Sequence, residues 1–366
     1  MMNATHKRGL GWWQGMVVGL LMPVLAFCSA GTEAAPVAAT ATAPDATRAV
    51  TTGEAATVYI NEILAHTDEP QVDSVELFNP GTALVDLGGW CLSDDKDEPR
   101  RFCLDQATIA AGGYLVLTAA DLPFRFSEFG EELYLYAPAA NGLQQVDSVT
   151  FGVSPNGVSM GRYVTSSGGV DFPLQSAVTL GAANAGPLIP AVVISEIMYQ
   201  PAQGPEYLVL RNRTNRAAPL YDPSWPDNYW QVSGISNNNG EYVLPDQITL
   251  QAGESIVLTA DPAAFAKTYP QRTLRIFGPF AGKLNNDGER IALQAPQPPE
   301  VDGDVAYADM DVVSYGVAAP WPAAGAAGKP LVRINLQGYG NNANNWQAGG
   351  EPVVLAQKLL LPLVTR

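Results

Sequence analysis

Histidine is nearly missing from this chain: His6 and His66 are the only two in 366 residues. A Ser-His-Asp or Cys-His nucleophile needs an imidazole base, and a histidine-rich zinc site needs several rings. His6 falls in a stretch that reads as a leader, which leaves His66 alone, in Ala65-His66-Thr67-Asp68. It reads as a loop residue, with a catalytic role as the rival. Cysteine is scarce too, at three, and no pair has the C-x-x-C spacing of a redox motif. Positive charge is short, with 20 Lys and Arg against 36 Asp and Glu, a net −16 that becomes −18 once Lys7 and Arg8 leave with the leader. A field of that sign repels phosphate backbones and anionic lipid heads, so nucleic acid is an unexpected partner. No window of twelve or more residues carries a helical stripe.

What is present is a folded, turn-rich chain. Apolar residues make up 47% and charged ones 15%, which excludes disorder for most of it. The 35 Gly and 29 Pro suit many short strands joined by turns. Met16–Phe27 is an apolar run behind His6, Lys7 and Arg8, with small residues following at Cys28-Ser29-Ala30-Gly31. This reads as a signal peptide over 1–30 cleaved after Ala30, leaving no membrane span. Acylation of Cys28 as a lipoprotein, and an uncleaved anchor, are the rivals. Residues 31–57 are an Ala/Thr/Pro linker. Of the remaining cysteines, Cys91 and Cys103 sit in apolar triplets separated by a polar turn, which predicts a cross-strand disulfide in an oxidising compartment. Two buried free thiols are the alternative.

The organising feature is an internal repeat. Ile60-Asn61-Glu62-Ile63-Leu64 returns as Ile194-Ser195-Glu196-Ile197-Met198, and 75–79 returns as 208–212. TIAAGGYLVLTA at 108–119 is answered by TLQAGESIVLTA at 249–260, Gly130–Leu135 by Gly288–Leu293, and VDSVTFG at 146–152 by MDVVSYG at 310–316. The second copy carries insertions, mainly at 221–243 and 262–287. Each block is strand-like, and the alternation of Leu133, Leu135 and Ala137 with Tyr134 and Tyr136 has the period of a strand.

Read together, Asn61–Ile63, Val75–Pro80, Val85–Trp90, Leu92–Asp95, Ala111–Tyr114, Gly130–Leu133, Val146-Asp147 and Met160–Arg162 resemble the lamin-tail domain. The second copy resembles it more loosely: Arg333 stands where Arg162 does, but Tyr229-Trp230-Gln231-Val232 replaces the Gly-Trp strand and both cysteines are missing. The resemblance implies an immunoglobulin-like sandwich used for binding or scaffolding, in bacteria on secreted or cell-surface proteins, with no catalytic residues of its own. The expected fold is therefore all-β, two tandem immunoglobulin-like sandwiches at 58–184 and 192–348, joined by a linker at 185–191 and followed by a tail at 349–366.

The residues that could carry chemistry each have a plainer reading beside them. Glu62, Glu196, Glu131 and Glu289 recur in pairs, as the carboxylates of a glycoside hydrolase would, yet a carboxylate at a strand end or turn also fixes backbone N–H groups. Asp94, Asp95 and Asp97, and Asp302 and Asp304, are acidic loops that could hold calcium, though neither follows an EF-hand pattern and solvated loops are the default. No other cofactor is expected. Tyr221, Trp225, Tyr229 and Trp230 lie in a Pro-rich insertion beside Asn237-Asn238-Asn239-Gly240 and could stack on sugar faces, or else cover the open end of the sandwich. Trp90 is expected to pack beside the disulfide. The apolar tail Lys358–Arg366 is either a last strand docked on the second domain or a tail recognised by a surface-sorting system. The expected function is non-catalytic binding to an extracellular protein or envelope polysaccharide, with a carbohydrate-binding or adhesion module and an extracellular hydrolase as rivals.

Overall fold

The computed structural model describes residues 58–235, 241–300 and 303–349, all within one compact unit. The leader, the 31–57 linker, Asn237–Gly240, Asp302 and the tail from 350 onward lie outside the described residues.

The first half runs β1 (Tyr59–Leu64), β2 (Ser74–Phe78), β3 (Val85–Asp86), β4 (Cys91–Ser93), β5 (Phe102–Cys103), β6 (Thr108–Ile109), β7 (Tyr114–Thr118), β8 (Glu131–Ala139), β9 (Gly142–Phe151), β10 (Met160–Gly161), β11 (Tyr163–Val164) and β12 (Val170–Asp171). The second runs β13 (Val192–Met198), β14 (Tyr207–Asn212), β15 (Ala218–Pro219), β16 (Gln231–Ser233), β17 (Tyr242–Val243), β18 (Thr249–Leu250) and β19 (Ser255–Thr259). It continues through α1 (Pro262–Thr268), β20 (Arg275–Phe277), β21 (Gly288–Pro296), β22 (Tyr307–Gly316), β23 (Leu331–Arg333) and β24 (Trp346–Ala348).

The repeat in the sequence is a repeat in topology. One sheet of the first half has the order β10-β1-β2-β7, and the second half keeps it as β23-β13-β14-β19 while adding β24 at one edge and β20 at the other. The facing sheet is β5-β4-β8-β9 in one and β17-β16-β21-β22 in the other, and the small β3-β6 pair returns as β15-β18. Even the irregularities recur: pairing shifts between Ile60 and Glu62 in one copy and between Ile194 and Glu196 in the other. A bulge of this kind re-aims the side chains around it. Gly130 and Gly288, at φ of 96° and 108°, open β8 and β21 where a Cβ would come within 2.4 Å of the Phe151 carbonyl oxygen and 2.5 Å of that of Tyr315. That combination excludes every other residue.

Strand alternation sorts the side chains. Leu133 and Leu135 enter the first core with Ile60, Ile63, Val75 and Leu77, while Tyr134 and Tyr136 turn to the opposite face. There they cover Cys91 and Cys103, which face each other across β4 and β5 and form a disulfide. Trp90 lies in the core instead of against that bridge, because one residue of a strand separates it from Cys91 and reverses its face. Each copy also locks its first strand with an ion pair, fully buried in the second copy and part-buried in the first. Asp311 accepts from the Ile194 N–H at 2.8 Å and from Arg333 at 2.7 Å, and Arg333 donates to the Ile194 carbonyl at 3.0 Å. Asp147 and Arg162 do the same for Ile60. Asn79 and Asn212 repeat a third device, each amide donating to three loop carbonyls.

The outer face of the β1–β2 sheet is where the copies diverge. In the first, residues 173–188 cross over two fully buried carboxylates: Glu62 accepts from the Thr179 N–H at 2.9 Å and its hydroxyl at 2.7 Å, and Glu76 accepts from Asn61 and from the Gly181 N–H. Burial raises the Glu76 carboxyl above the ordinary carboxylate range. In the second, Val209 packs with Met198, Tyr207, Val257 and Phe265 beneath α1, whose N-cap Asp261 precedes Pro262. Glu196 there is paired with Arg272 and accepts from the Tyr207 hydroxyl at 2.6 Å.

Candidate binding surface

The insertion between Leu220 and Trp230 forms a short hairpin. Tyr221 and Tyr229 bridge at its base, the Asp222 N–H donates to Asn228 at 2.9 Å, and Asn228 returns a bond to the Trp225 carbonyl. The Asp222 carboxylate accepts from the Ser224 N–H at 2.7 Å, an Asx turn that fixes the tip. Trp225 sits on that tip, 43% exposed, and Tyr221 and Tyr229 at the base are half-buried. Trp230 has a different place. Its N–H donates to Leu220 and its carbonyl accepts from Leu244, as Trp90 donates to Leu87 and accepts from Leu104, and it packs on the second core. The four aromatic candidates thus divide into one exposed ring, Trp225, two half-buried tyrosines at the base of the hairpin and one residue packed on the core, Trp230.

Three of the recurrent glutamates, Glu62, Glu131 and Glu289, hold backbone N–H groups, while Glu196 is held by Arg272 and the Tyr207 hydroxyl. Glu131 accepts from the Ser127 N–H at 2.7 Å and Glu289 from the Asn285 N–H at 2.9 Å, as Glu62 does from Thr179. Burial pushes the carboxyls of Glu131 and Glu289 up. His66 turns Nδ1 to the Ser154 carbonyl at 2.8 Å and Nε2 to Glu128 at 2.9 Å, so both ring nitrogens are engaged. In the acidic loop Asp94 pairs with Arg101 at 2.8 Å, and Asp95 accepts from the Asp97 N–H at 2.8 Å. The Asp304 carbonyl accepts from the Glu300 N–H at 2.8 Å across a turn. Among the described residues no group of three or more His, Cys, Asp or Glu side chains is placed to hold a metal ion.

A set of residues that sequence reasoning passed over joins the two copies. Asp171 accepts from the Tyr339 hydroxyl at 2.9 Å and the Asn341 amide at 2.7 Å, and Asn342 donates to the Tyr163 hydroxyl at 2.9 Å. Tyr163 and Tyr339 meet edge to face, 5.2 Å between ring centres. Burial beside Asp171 drives the Tyr339 hydroxyl far above its ordinary range, so it remains a donor. Met310 of β22 reaches the first core, and a cleft of about 330 Å³ lies alongside, lined by Met160, Phe172, Leu174, Arg290, Asp309 and Tyr339 among others. The 185–191 linker is bonded to its surroundings as well: Gly186 donates to Gln175 at 2.8 Å, and Arg213 donates to the Pro190 carbonyl at 2.6 Å. The only sequence signal for this junction is the Asn- and Gly-rich run Gly338–Asn345, which marks turns and no partner.

A profile of the lamin tail domain matches residues 51–152 and 187–316. The chain belongs to the lamin tail domain family. The family is an immunoglobulin-like and generally non-enzymatic one, in keeping with two sandwiches whose recurrent carboxylates are held by backbone N–H groups or, at Glu196, by Arg272 and Tyr207. Arg162 and Arg333 lie beyond both matched segments, yet occupy equivalent places in the two lamin tail domains. A search of the curated proteins returns no match. Among solved structures, a DUF4876 family protein from Bacteroides thetaiotaomicron is similar at 10% identity over 84% of this chain and 99% of that one, with a TM-score of 0.30. At that score the likeness says nothing about the binding surface.

Proposed function

We propose that this chain is an exported, non-catalytic binding and scaffolding protein, secreted or held at the cell surface. Its two lamin tail domains present loops to an extracellular protein or an envelope polysaccharide. The observation that carries the reading is the junction. Asp171, Tyr163, Tyr339, Asn341 and Asn342 fasten the domains together, so both offer their loops from one frame. Preorganisation of that kind lowers the entropic cost of binding. The leader-like start and the Cys91–Cys103 disulfide support an oxidising, extracytoplasmic setting, and no helix among the described residues is long and apolar enough to cross a membrane.

A second reading, carbohydrate binding, is favoured by Trp225 at the tip of the 221–229 hairpin. An exposed indole on a hairpin tip can stack on a sugar ring. The test for both is a binding screen of residues 55–366, with and without calcium, against glycans, cell-wall fragments, DNA and an extracellular protein extract. A glycan signal lost in Trp225→Ala makes the protein a carbohydrate-binding module. A protein signal that survives Trp225→Ala supports the scaffolding reading. Failure to bind any class, with the fold intact by circular dichroism, would sink the binding role altogether.

A further inference from the structure

The two copies treat one sheet edge differently. In the second, β19 is covered by β20, which runs parallel to it with Ile256 opposite Arg275, Val257 opposite Ile276 and Leu258 opposite Phe277. β20 belongs to the insertion that the first copy lacks. There the equivalent strand, β7, pairs with β2 alone and ends its sheet. Its backbone polarity is fixed by its neighbours. The Gly113 carbonyl accepts from Asn79 on the β2 side, whereas the Thr118 N–H donates outward to the Asp121 carboxylate at 2.8 Å. Alternate residues of a strand point their backbone groups to opposite sides. Tyr114 and Val116 therefore aim N–H and C=O at the open edge, in the place where Val257 meets β20. The edge is closed at Thr118 and open at Val116. An open edge is a template for an added strand.

We infer that the chain's own C-terminal segment, Lys358–Pro362, is that strand, lying parallel to β7 as β20 lies on β19. The segment repeats the order of the covering strand. Arg275-Ile276-Phe277 is a cation followed by two apolar residues, and so is Lys358-Leu359-Leu360; a proline stands fifth in both. The fourth places differ, with Leu361 against a Gly278 whose φ of 132° and approach to the Thr259 carbonyl oxygen admit no side chain. Pro362 has no N–H to give a ladder and would end the added strand, and the leucines before it would extend the apolar surface of β7. Nine residues separate Gly349, the last described residue, from Leu359, a reach of up to about 30 Å when extended. The segment can come from the same molecule or from a neighbouring one. In the second case the chain links to its own copies head to tail.

The test is a cysteine pair in the full exported chain, Val116→Cys with Leu359→Cys, chosen because Val257 faces Ile276 in the covered edge. The native Cys91–Cys103 bond keeps the other thiols out of the reaction. Mild oxidation is expected to crosslink the pair several-fold more than a control pairing Leu359→Cys with Gln144→Cys, an exposed position on β9. A crosslink within one chain shows docking in cis, and a crosslinked dimer shows docking in trans; either supports the inference. Crosslinking no greater than the control overturns it. If the cysteine variants do not fold, amide exchange on the unmodified chain decides. A Val116 amide as slow as that of Val257 supports a strand on β7. A Val116 amide that exchanges freely leaves the edge empty or open to a foreign strand, and overturns the inference.

Discussion

Replacing Arg333 by Met removes a guanidinium that is fully buried and leaves its partner, Asp311, 1% exposed, without a cation. Three bonds go with it, to Asp311, to the Ile194 carbonyl and to the Gly338 carbonyl, the last at 2.7 Å. Charge-assisted bonds of this kind each contribute roughly 1.5–3 kcal/mol. Against them stands the desolvation of the arginine, whose Nε has no partner. Breaking a buried pair from one side costs about 3–5 kcal/mol, most of it from the orphaned charge. For a domain of this size that lowers the melting temperature by roughly 6–20 °C. Arg162→Met is the internal control, since Arg162 and Asp147 are 12% and 15% exposed and water can reach the abandoned carboxylate. It is expected to cost about 1–3 kcal/mol. Asp311→Leu added to Arg333→Met should recover at least half of the loss, because no charge is then left buried. Thermal and urea denaturation of the four proteins read this directly. An Arg333→Met variant within about 1 kcal/mol of the parent, or no worse than Arg162→Met, would refute the assignment of the pair as the lock of the second domain.

Removing the disulfide with Cys91→Ala and Cys103→Ala, which frees a loop of sequence separation 12, should cost about 2–3 kcal/mol by urea denaturation. Mass spectrometry of the non-reduced exported protein should find neither thiol free. Asp171→Ala removes the acceptor shared by Tyr339 and Asn341 and should weaken the coupling of the two domains by about 1–3 kcal/mol. The readouts are a larger radius of gyration by small-angle scattering and a broader thermal transition; an unchanged scattering curve counts against a fastened junction. Burial raises the carboxyls of Glu76, Glu131, Glu206 and Glu289 above the ordinary value of 4.5. A carboxyl raised by folding binds its proton more tightly in the folded state, so its stabilising contribution is complete below about pH 4.5 and is lost as pH rises through the folded value. Stability should therefore fall from mildly acid to neutral pH. Glu131→Gln, which keeps an oxygen for the Ser127 N–H, should flatten that fall; a slope equal to the parent's would count against it.

Much of this fold is legible in the letters because the chain states it twice. Asn79 and Asn212, Gly130 and Gly288, Glu131 and Glu289, Arg162 and Arg333 each recur at matched places, and each pair performs one structural task in both copies. The disulfide was readable because its two strands are neighbours in sequence and face each other directly. Trp90 was misplaced by one step of strand alternation. The hairpin at 221–229 was found as an insertion, but its composition could not say which ring was exposed. That depends on the backbone bonds that make Trp230 the counterpart of Trp90. The junction was illegible for a different reason. Tyr163, Asp171 and Tyr339 are single polar residues without period, and the partners of Asp171 lie 168 and 170 residues away. Nothing local marks such a contact.

The crossing of residues 173–188 over Glu62 and Glu76 also orders events in time. Glu62 sits on the first strand of its domain, and the Thr179 N–H that satisfies it comes 117 residues later. A chain emerging N-terminus first would form the β1–β2 hairpin early, with both carboxylates still hydrated on its outer face. Closure of that face has to wait until Thr179 and Gly181 have emerged. The fastening of the domains waits longer, for Tyr339 and Asn341. The first domain thus stays a wet-faced half-structure through most of its own synthesis. The residues that dry it and then clamp it to its neighbour arrive late, so neither step can precede their emergence.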